Sequence, residues 1–267
     1  MRAMVLVALN VFRECVRDKV LYNLVAFAVL LMAASYLIGQ LTAGQDIKII
    51  KDLGLAAISL FGLLIAIFIG IGLVWKEVEK RSIYSLLAKP ISRAQFVVGK
   101  YAGLVLTLAV NVTVMSVAFY AVLAYMATAL AITPHPDLPP ATDLALLKAV
   151  VLIFVELALV TAVALLFSTF SSPFLSALLT LAVWIIGQMS ADLRVLGTYL
   201  ESPAAGAIGR ALYYVVPNFG AFDVKAQVVS GLPVPASYVA TMVLYGAVYA
   251  GAVLSAAVLI FSRRDFK

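Results

Sequence analysis

A chain of 267 residues, 64% of them hydrophobic and 12% charged, with a mean hydropathy of +1.10, lies far from the composition of a water-soluble domain. This excludes a globular cytosolic protein and indicates a polytopic membrane protein. The net charge of +6 is placed mostly beside apolar runs, where it orients spans and meets anionic lipid, so a nucleic-acid partner is not expected.

The chain opens with Val5, Leu9, Phe12, Val16 and Val20 at spacings of three and four, with Asn10, Arg13, Glu14, Arg17 and Asp18 opposite. That pattern predicts an amphipathic helix in the membrane interface, serving as a basic flank to the first span or as a grip for a partner. No small-residue cleavage site follows, so removal as a signal peptide is not expected. Cys15 is the single cysteine, which rules out an internal disulfide and a cysteine-rich metal site.

Long apolar runs then recur at 20–45, 53–75, 101–136, 144–167, 168–191 and 226–262. Each approaches or exceeds the ~20 residues a helix needs to cross ~30 Å of hydrocarbon, and none alternates at period 2 as barrel strands do. The expectation is an all-α integral membrane protein with six transmembrane helices in one transmembrane permease-sized domain, residues 1–267. With six spans, one side holds Arg2, Arg13, Arg17, Lys19, Lys76, Lys80, Arg81, Lys89, Arg93, Lys100, Arg263, Arg264 and Lys267, which is 13 of the 19 basic residues. By the positive-inside rule that side is cytoplasmic, and both termini are expected there.

In the second run, Gly62, Ala66 and Gly70, with Gly72 nearby, form a small-residue face suited to tight helix packing within a protomer or across a dimer. Next comes a dense charged loop, EVEKRSIYSLLAKPISRAQFVVGK, residues 77–100. Its residues 77–88 are good helix formers, and Glu77 stands four before Arg81, the favourable order for an ion pair. Ile83, Leu86 and Leu87 fall near one face and need a membrane surface or a protein to cover them. Pro90 ends that helix, and Ser92 followed by Gln95 is a capping-box signature for a new helix that starts at Arg93 and runs into span three. A positive-inside flank accounts for the lysines and arginines but not for Glu77, Glu79, the apolar face and the cap.

The segment TPHPDLPPATD, 133–143, predicts an outer turn in which Thr142 or Asp143 caps the next helix; His135 is the only histidine and has no second ligand nearby for a metal. Glu156 lies near the middle of span four, where a carboxylate costs roughly 2.5 kcal/mol or more on insertion scales. It reads either as a pathway or coupling carboxylate, or as a structural hydrogen-bonding group with a partner such as Asn111, Thr113 or Gln188. The link STFSSP is short, with Pro173 suited to a first helical turn. Residues 192–237, rich in Gly and Pro, predict short outer re-entrant or interfacial helices; Ala204, Ala205, Ile208, Ala211, Leu212 and Val215 form a broken apolar row, and a seventh span there is disfavoured by Gly206, Gly209 and Arg210. Asp192 and Arg194 are two apart and do not pair on a helix, while Tyr199, Tyr213 and Tyr214 suit an interfacial belt, with substrate contact as the second reading.

The order acidic, acidic-Lys-Arg, Leu-Leu, Pro-Ile-Ser-Arg and Gly-Lys in 77–100, together with the tail FSRRDF, resembles the permease subunits of type-2 ABC exporters, in their short stand-alone branch. The resemblance implies that Glu77, Glu79, Lys80, Arg81, Ile83, Tyr84, Leu86, Leu87, Pro90 and Arg93 belong to a cytoplasmic coupling helix and its flank, seated on a separate cytosolic ABC ATPase. It also implies a permease homodimer or related heterodimer in the cytoplasmic (inner) membrane of a bacterium or archaeon, with ATP and Mg bound by the ATPase alone. Consistent with that division, the chain has no G-x-x-x-x-G-K-[ST] loop, since Gly99-Lys100 is followed by Tyr101. No catalytic, cofactor or metal residue is expected here. A membrane subunit that transmits ATPase-driven force to an enzyme complex, or an ATP-independent carrier, are the competing readings. The mostly apolar spans suit lipids, hydrophobic compounds or peptides without selecting one.

Overall fold

The computed structural model describes residues 2–40, 46–79, 92–129, 143–193 and 203–263, and among these it is helical without any strand. The helices are α1 (Arg2–Val16), α2 (Lys19–Gln40), α3 (Asp46–Glu79), α4 (Arg93–Ala129), α5 (Ala145–Ser168), α6 (Pro173–Gln188), α7 (Pro203–Val215), α8 (Lys225–Val229) and α9 (Ala236–Arg263), with a 3₁₀ turn at Gly220–Phe222. Four stretches are long and apolar enough to cross a membrane: Ile47–Ile71, Arg93–Met126, Ala145–Ser168 and Ala236–Arg263. The pair Met4–Val16 and Lys19–Ser35, bent by 64°, qualifies together as a fifth. Six spans were expected; α6 has 16 residues, about 24 Å of helix, and falls short of the length that a span by itself requires.

The centre of the bundle is α5. Its sequence is apolar on every side, and a helix of that kind is stable only when surrounded. Accordingly α5 packs against α3, α4, α6 and α9, and most of its residues are buried. In contrast α9 buries only Gly246, Ala250, Leu254, Ala257 and Phe261, one stripe at helical spacing, and turns Leu244, Val248 and Leu259 outward.

The small-residue face of α3 packs within the protomer. A Cβ on Gly70 would lie 2.7 Å from the Ala164 methyl, and one on Gly62 would lie 2.4 Å from Leu157, so hydrogen atoms at these positions let α3 and α5 touch. A second such face, Gly99 and Gly103, went unremarked in the sequence; it seats α1 on α4, where a Cβ on Gly103 would meet the Ala8 carbonyl at 2.5 Å. The row of α1 that packs on α4 is Val7, Ala8, Val11 and Cys15, while Val5, Leu9 and Val16 of the expected lipid-facing row, and Val20 at the start of α2, are exposed, so α1 has two apolar faces and the sequence pattern identified the outward one.

Local signals at helix starts are well realised. Gln95 N–H donates to Ser92 Oγ and Ser92 N–H to Gln95 Oε1, both at 3.2 Å, completing the capping box at α4. Pro173 occupies the first turn of α6. Asp143 Oδ1 accepts the Ala145 N–H at 2.8 Å ahead of α5. The last long helix begins at Ala236, ten residues later than the charge-free run 226–262 suggested, because the chain first forms α8 and closes it with Gly231 at φ 76°. Leu232 N–H donating to Gln227 O at 2.9 Å and Gly231 N–H to Val228 O at 3.1 Å make that closure a Schellman turn.

The expected coupling helix is reached only at its start. Residues 77–79 continue α3 without a break, so no separate helix begins at Glu77. Lys80, Arg81, Ile83, Tyr84, Leu86, Leu87 and Pro90 lie outside the described residues, as do His135 and Arg194. At 13 residues α7 is too short to be a seventh span, and Ile208 and Val215 of its expected apolar row are exposed rather than packed.

Candidate functional site

Glu156 stands halfway along α5 and is 2% exposed. Both of its hydrogen bonds come from α6: Trp184 Nε1–H donates to Oε1 at 2.8 Å and Gln188 Nε2–H to the same oxygen at 2.7 Å. The spacing explains the fit, since residues four apart on a helix share a face. Gln188 was among the partners foreseen; Trp184 was not. The available clue was its position one turn before Gln188, which presents two N–H donors in a row. Asn111 and Thr113 do not take part, because each bonds back into its own helix, Asn111 Nδ2 to Thr107 O and Thr113 Oγ1 to Ala109 O, both at 2.7 Å.

Around this carboxyl closes the segment that follows α7. Phe219 N–H donates to Gly187 O at 3.0 Å, and Gly220 lies so close to Gln188 that a Cβ there would be 2.8 Å from its carbonyl. The backbone of 219–220 is therefore pressed onto the turn of α6 that carries Gln188. Phe219, Phe222, Val224, Val228 and Val229 are all buried, so the segment is inserted among the helices rather than laid over them. It carries Lys225 and Asp223 into electrostatic reach of Glu156. Lys225 Nζ lies 3.5 Å from Asp223 Oδ2 and 3.4 Å from Ser59 Oγ of α3.

Tyrosines of α9 hold the same segment from the other side. Tyr238 Oη donates to Ala221 O at 2.7 Å, Tyr245 Oη accepts the Asn218 N–H at 3.0 Å, and Tyr249 Oη donates to Val215 O. Lys148 Nζ donates to Val234 O at 2.7 Å, tying α5 to the approach of α9. Residues 215–234 thus form a strap whose backbone is gripped by α5, α6 and α9.

At the opposite end of α9, Arg93 Nη1 donates to Phe261 O at 3.0 Å and to Ser262 O at 2.8 Å. These are last-turn carbonyls that α9 cannot satisfy internally, and a guanidinium both bonds them and complements the helix dipole. Phe96 stacks on Phe261 at 5.9 Å between centroids, and the buried Lys100 ammonium lies 4.7 Å from the Phe96 centroid. Arg93 is the only residue of the expected coupling set whose side chain is described, and it clamps the end of α9 from the first turn of α4.

No group of three or more His, Cys, Asp and Glu that could hold a metal occurs among the described residues. The site comprises one buried carboxyl, an inserted strap and a clamp at the far end of α9. No curated protein matches the chain. The family described as ABC-2 family transporter protein matches residues 5–266, nearly the full length, and the chain belongs to that family of multi-pass ABC transporter permeases.

Proposed function

We propose that this membrane permease moves its substrate outward, driven by ATP hydrolysis in a separate cytosolic ATPase that docks on residues 77–91. In this reading α2, α3, α4, α5, α6 and α9 are six spans, α6 being extended by the helical residues 190–193, and the bias of Lys and Arg puts both termini and the docking loop in the cytoplasm. Two permeases and two ATPases make the working complex, and ATP and Mg belong to the ATPase.

The supporting observation is a set of contacts that runs from the start of α4 to the strap. Arg93, the first residue of α4, grips the last turn of α9, and α9 in turn holds residues 215–221 through Tyr238, Tyr245 and Tyr249. A shift of the loop on ATP binding is carried along a rigid helix to a segment inserted beside Glu156. Two discrete positions of that segment would switch access from one side to the other.

The test is to purify the chain with the ATPase that accompanies it and reverse the loop charges together, Glu77→Lys, Glu79→Lys and Arg81→Glu. Loss of most of the permease-stimulated ATPase activity is expected. Full stimulation by the triple variant sinks the docking assignment.

A further inference from the structure

Between α7 and α9 lies a cavity of about 300 Å³ whose walls include Tyr213, Tyr214, Asn218, Met242, Tyr245 and Tyr249. That volume is at the lower end for small-molecule sites. The rings do not lie flat against one another. Tyr213 and Tyr214 meet edge to face, 5.3 Å between centroids at 79°, and Tyr245 and Tyr249 are tilted by 51° at 5.8 Å.

The polar groups at this cavity are largely used within the protein. Tyr245 Oη accepts the Asn218 N–H, Tyr249 Oη donates to Val215 O, and Asn218 Oδ1 accepts the Ala221 N–H at 3.2 Å. These bonds hold Tyr245 and Tyr249, and the cavity wall carries four tyrosine rings and a thioether and, among the described residues, no Asp, Glu, Lys or Arg side chain. An anion would find no cation there. A primary ammonium would lose the hydrogen bonds that water gives its N–H groups. A quaternary ammonium has no N–H to satisfy, is weakly hydrated and is attracted by the negative face of each tyrosine ring.

We propose that this cavity binds a quaternary ammonium group, presented by a small cation or by the headgroup of a choline phospholipid. Arg210 allows the second source to be distinguished. It is four residues before Tyr214 on α7, hence on the same face, and it is exposed, its Nε donating to Gly206 O at 3.2 Å. A phosphate attached to the bound ammonium falls on the side where that guanidinium stands. The proposal adds a ligand class to the transport reading without depending on it, because binding is measured with no ATPase present.

The test uses the full chain in detergent and titrates choline against its neutral isostere, in which carbon replaces the nitrogen. Choline is expected to bind at least about tenfold more tightly, the size of a desolvated cation–π contribution. Equal affinities, or no choline binding, overturn the proposal, and this comparison needs no variant. Tyr213→Leu and Tyr245→Leu, each checked for unchanged secondary structure, are expected to weaken choline roughly tenfold. Unchanged affinity in both leucine variants places the cation elsewhere and overturns the assignment. In nanodiscs, displacement of choline by phosphatidylcholine but not phosphatidylglycerol, relieved in Arg210→Gln, identifies the lipid source; equal choline binding in both identifies the small cation.

Discussion

Trp184 donates its indole N–H to Oε1 of Glu156 at 2.8 Å, one of two side-chain bonds that tie the short helix α6 to the central helix α5. The carboxyl halfway along α5 is thus hydrogen-bonded within the bundle. Gln188 completes the attachment at 2.7 Å, and the backbone of Gly220 rests on the same turn, so the strap depends on α6 being in place.

Trp184→Phe and Gln188→Leu are each expected to lower stability by about 1 kcal/mol, the usual scale of a single hydrogen bond between membrane helices. Glu156→Gln keeps an acceptor oxygen for both donors and should unfold within a degree or two of the unaltered chain. Thermal unfolding in detergent measures all of these. If Glu156→Gln also transports normally, the carboxyl has no role beyond this attachment; reduced transport at unchanged stability assigns one.

Gly103→Val tests the seat of α1 on α4. The added side chain meets the Ala8 carbonyl and Val11, and main chain cannot yield as a flexible side-chain tip can. Overpacking of this kind costs roughly 1–3 kcal/mol, enough to lift α1 in a sizeable fraction of molecules. Cys15, 5% exposed and the protein's single cysteine, reports the event. Maleimide labelling should be slow in the unaltered chain and at least several-fold faster in the variant. Equal rates would show that the glycine contact does not hold α1 down.

Arg93→Gln removes the guanidinium that bonds Phe261 O and Ser262 O. Charge-assisted bonds of this type contribute about 1.5 kcal/mol or more, so amides in the last turn of α9 should exchange with deuterium roughly tenfold faster. Exchange near Tyr245 should be unaffected. If ATPase coupling runs along α9, stimulation by the permease falls in the same variant, and it should be retained in a variant that alters only the outward face, such as Leu244→Ala.

Sidedness is open to a direct check. On a Cys15→Ser background, Ser85→Cys is expected to react with an impermeant maleimide only from the cytoplasmic side of sealed vesicles. Labelling from outside would reverse the orientation drawn from the basic residues.

Much of this architecture follows from one-dimensional pattern. The long apolar runs required helices because only helices and closed barrels satisfy backbone polar groups in lipid, and the runs lack the period-2 alternation of barrel strands. The capping box at Ser92 and Gln95, the first-turn Pro173 and the small-residue face of α3 are local, and local chemistry is read directly from neighbouring residues. The motif in 77–100 likewise pointed to the family that the full-length match shows.

Tertiary structure alone decided three things. It chose which face of α1 packs, since a helix with two apolar faces offers the same periodic signal to protein and to lipid. It brought Trp184 to Glu156, 28 residues away in sequence, a pairing set by the geometry of α5 against α6. It also decided between the re-entrant and interfacial readings of residues 215–234 in favour of an inserted strap, because Phe219, Phe222 and Val228 are buried where α3, α5, α6 and α9 leave room for them. The physical reason is common to all three: in a membrane both lipid and protein accept apolar surface, so hydropathy says that a residue is away from water and only close packing says what it touches.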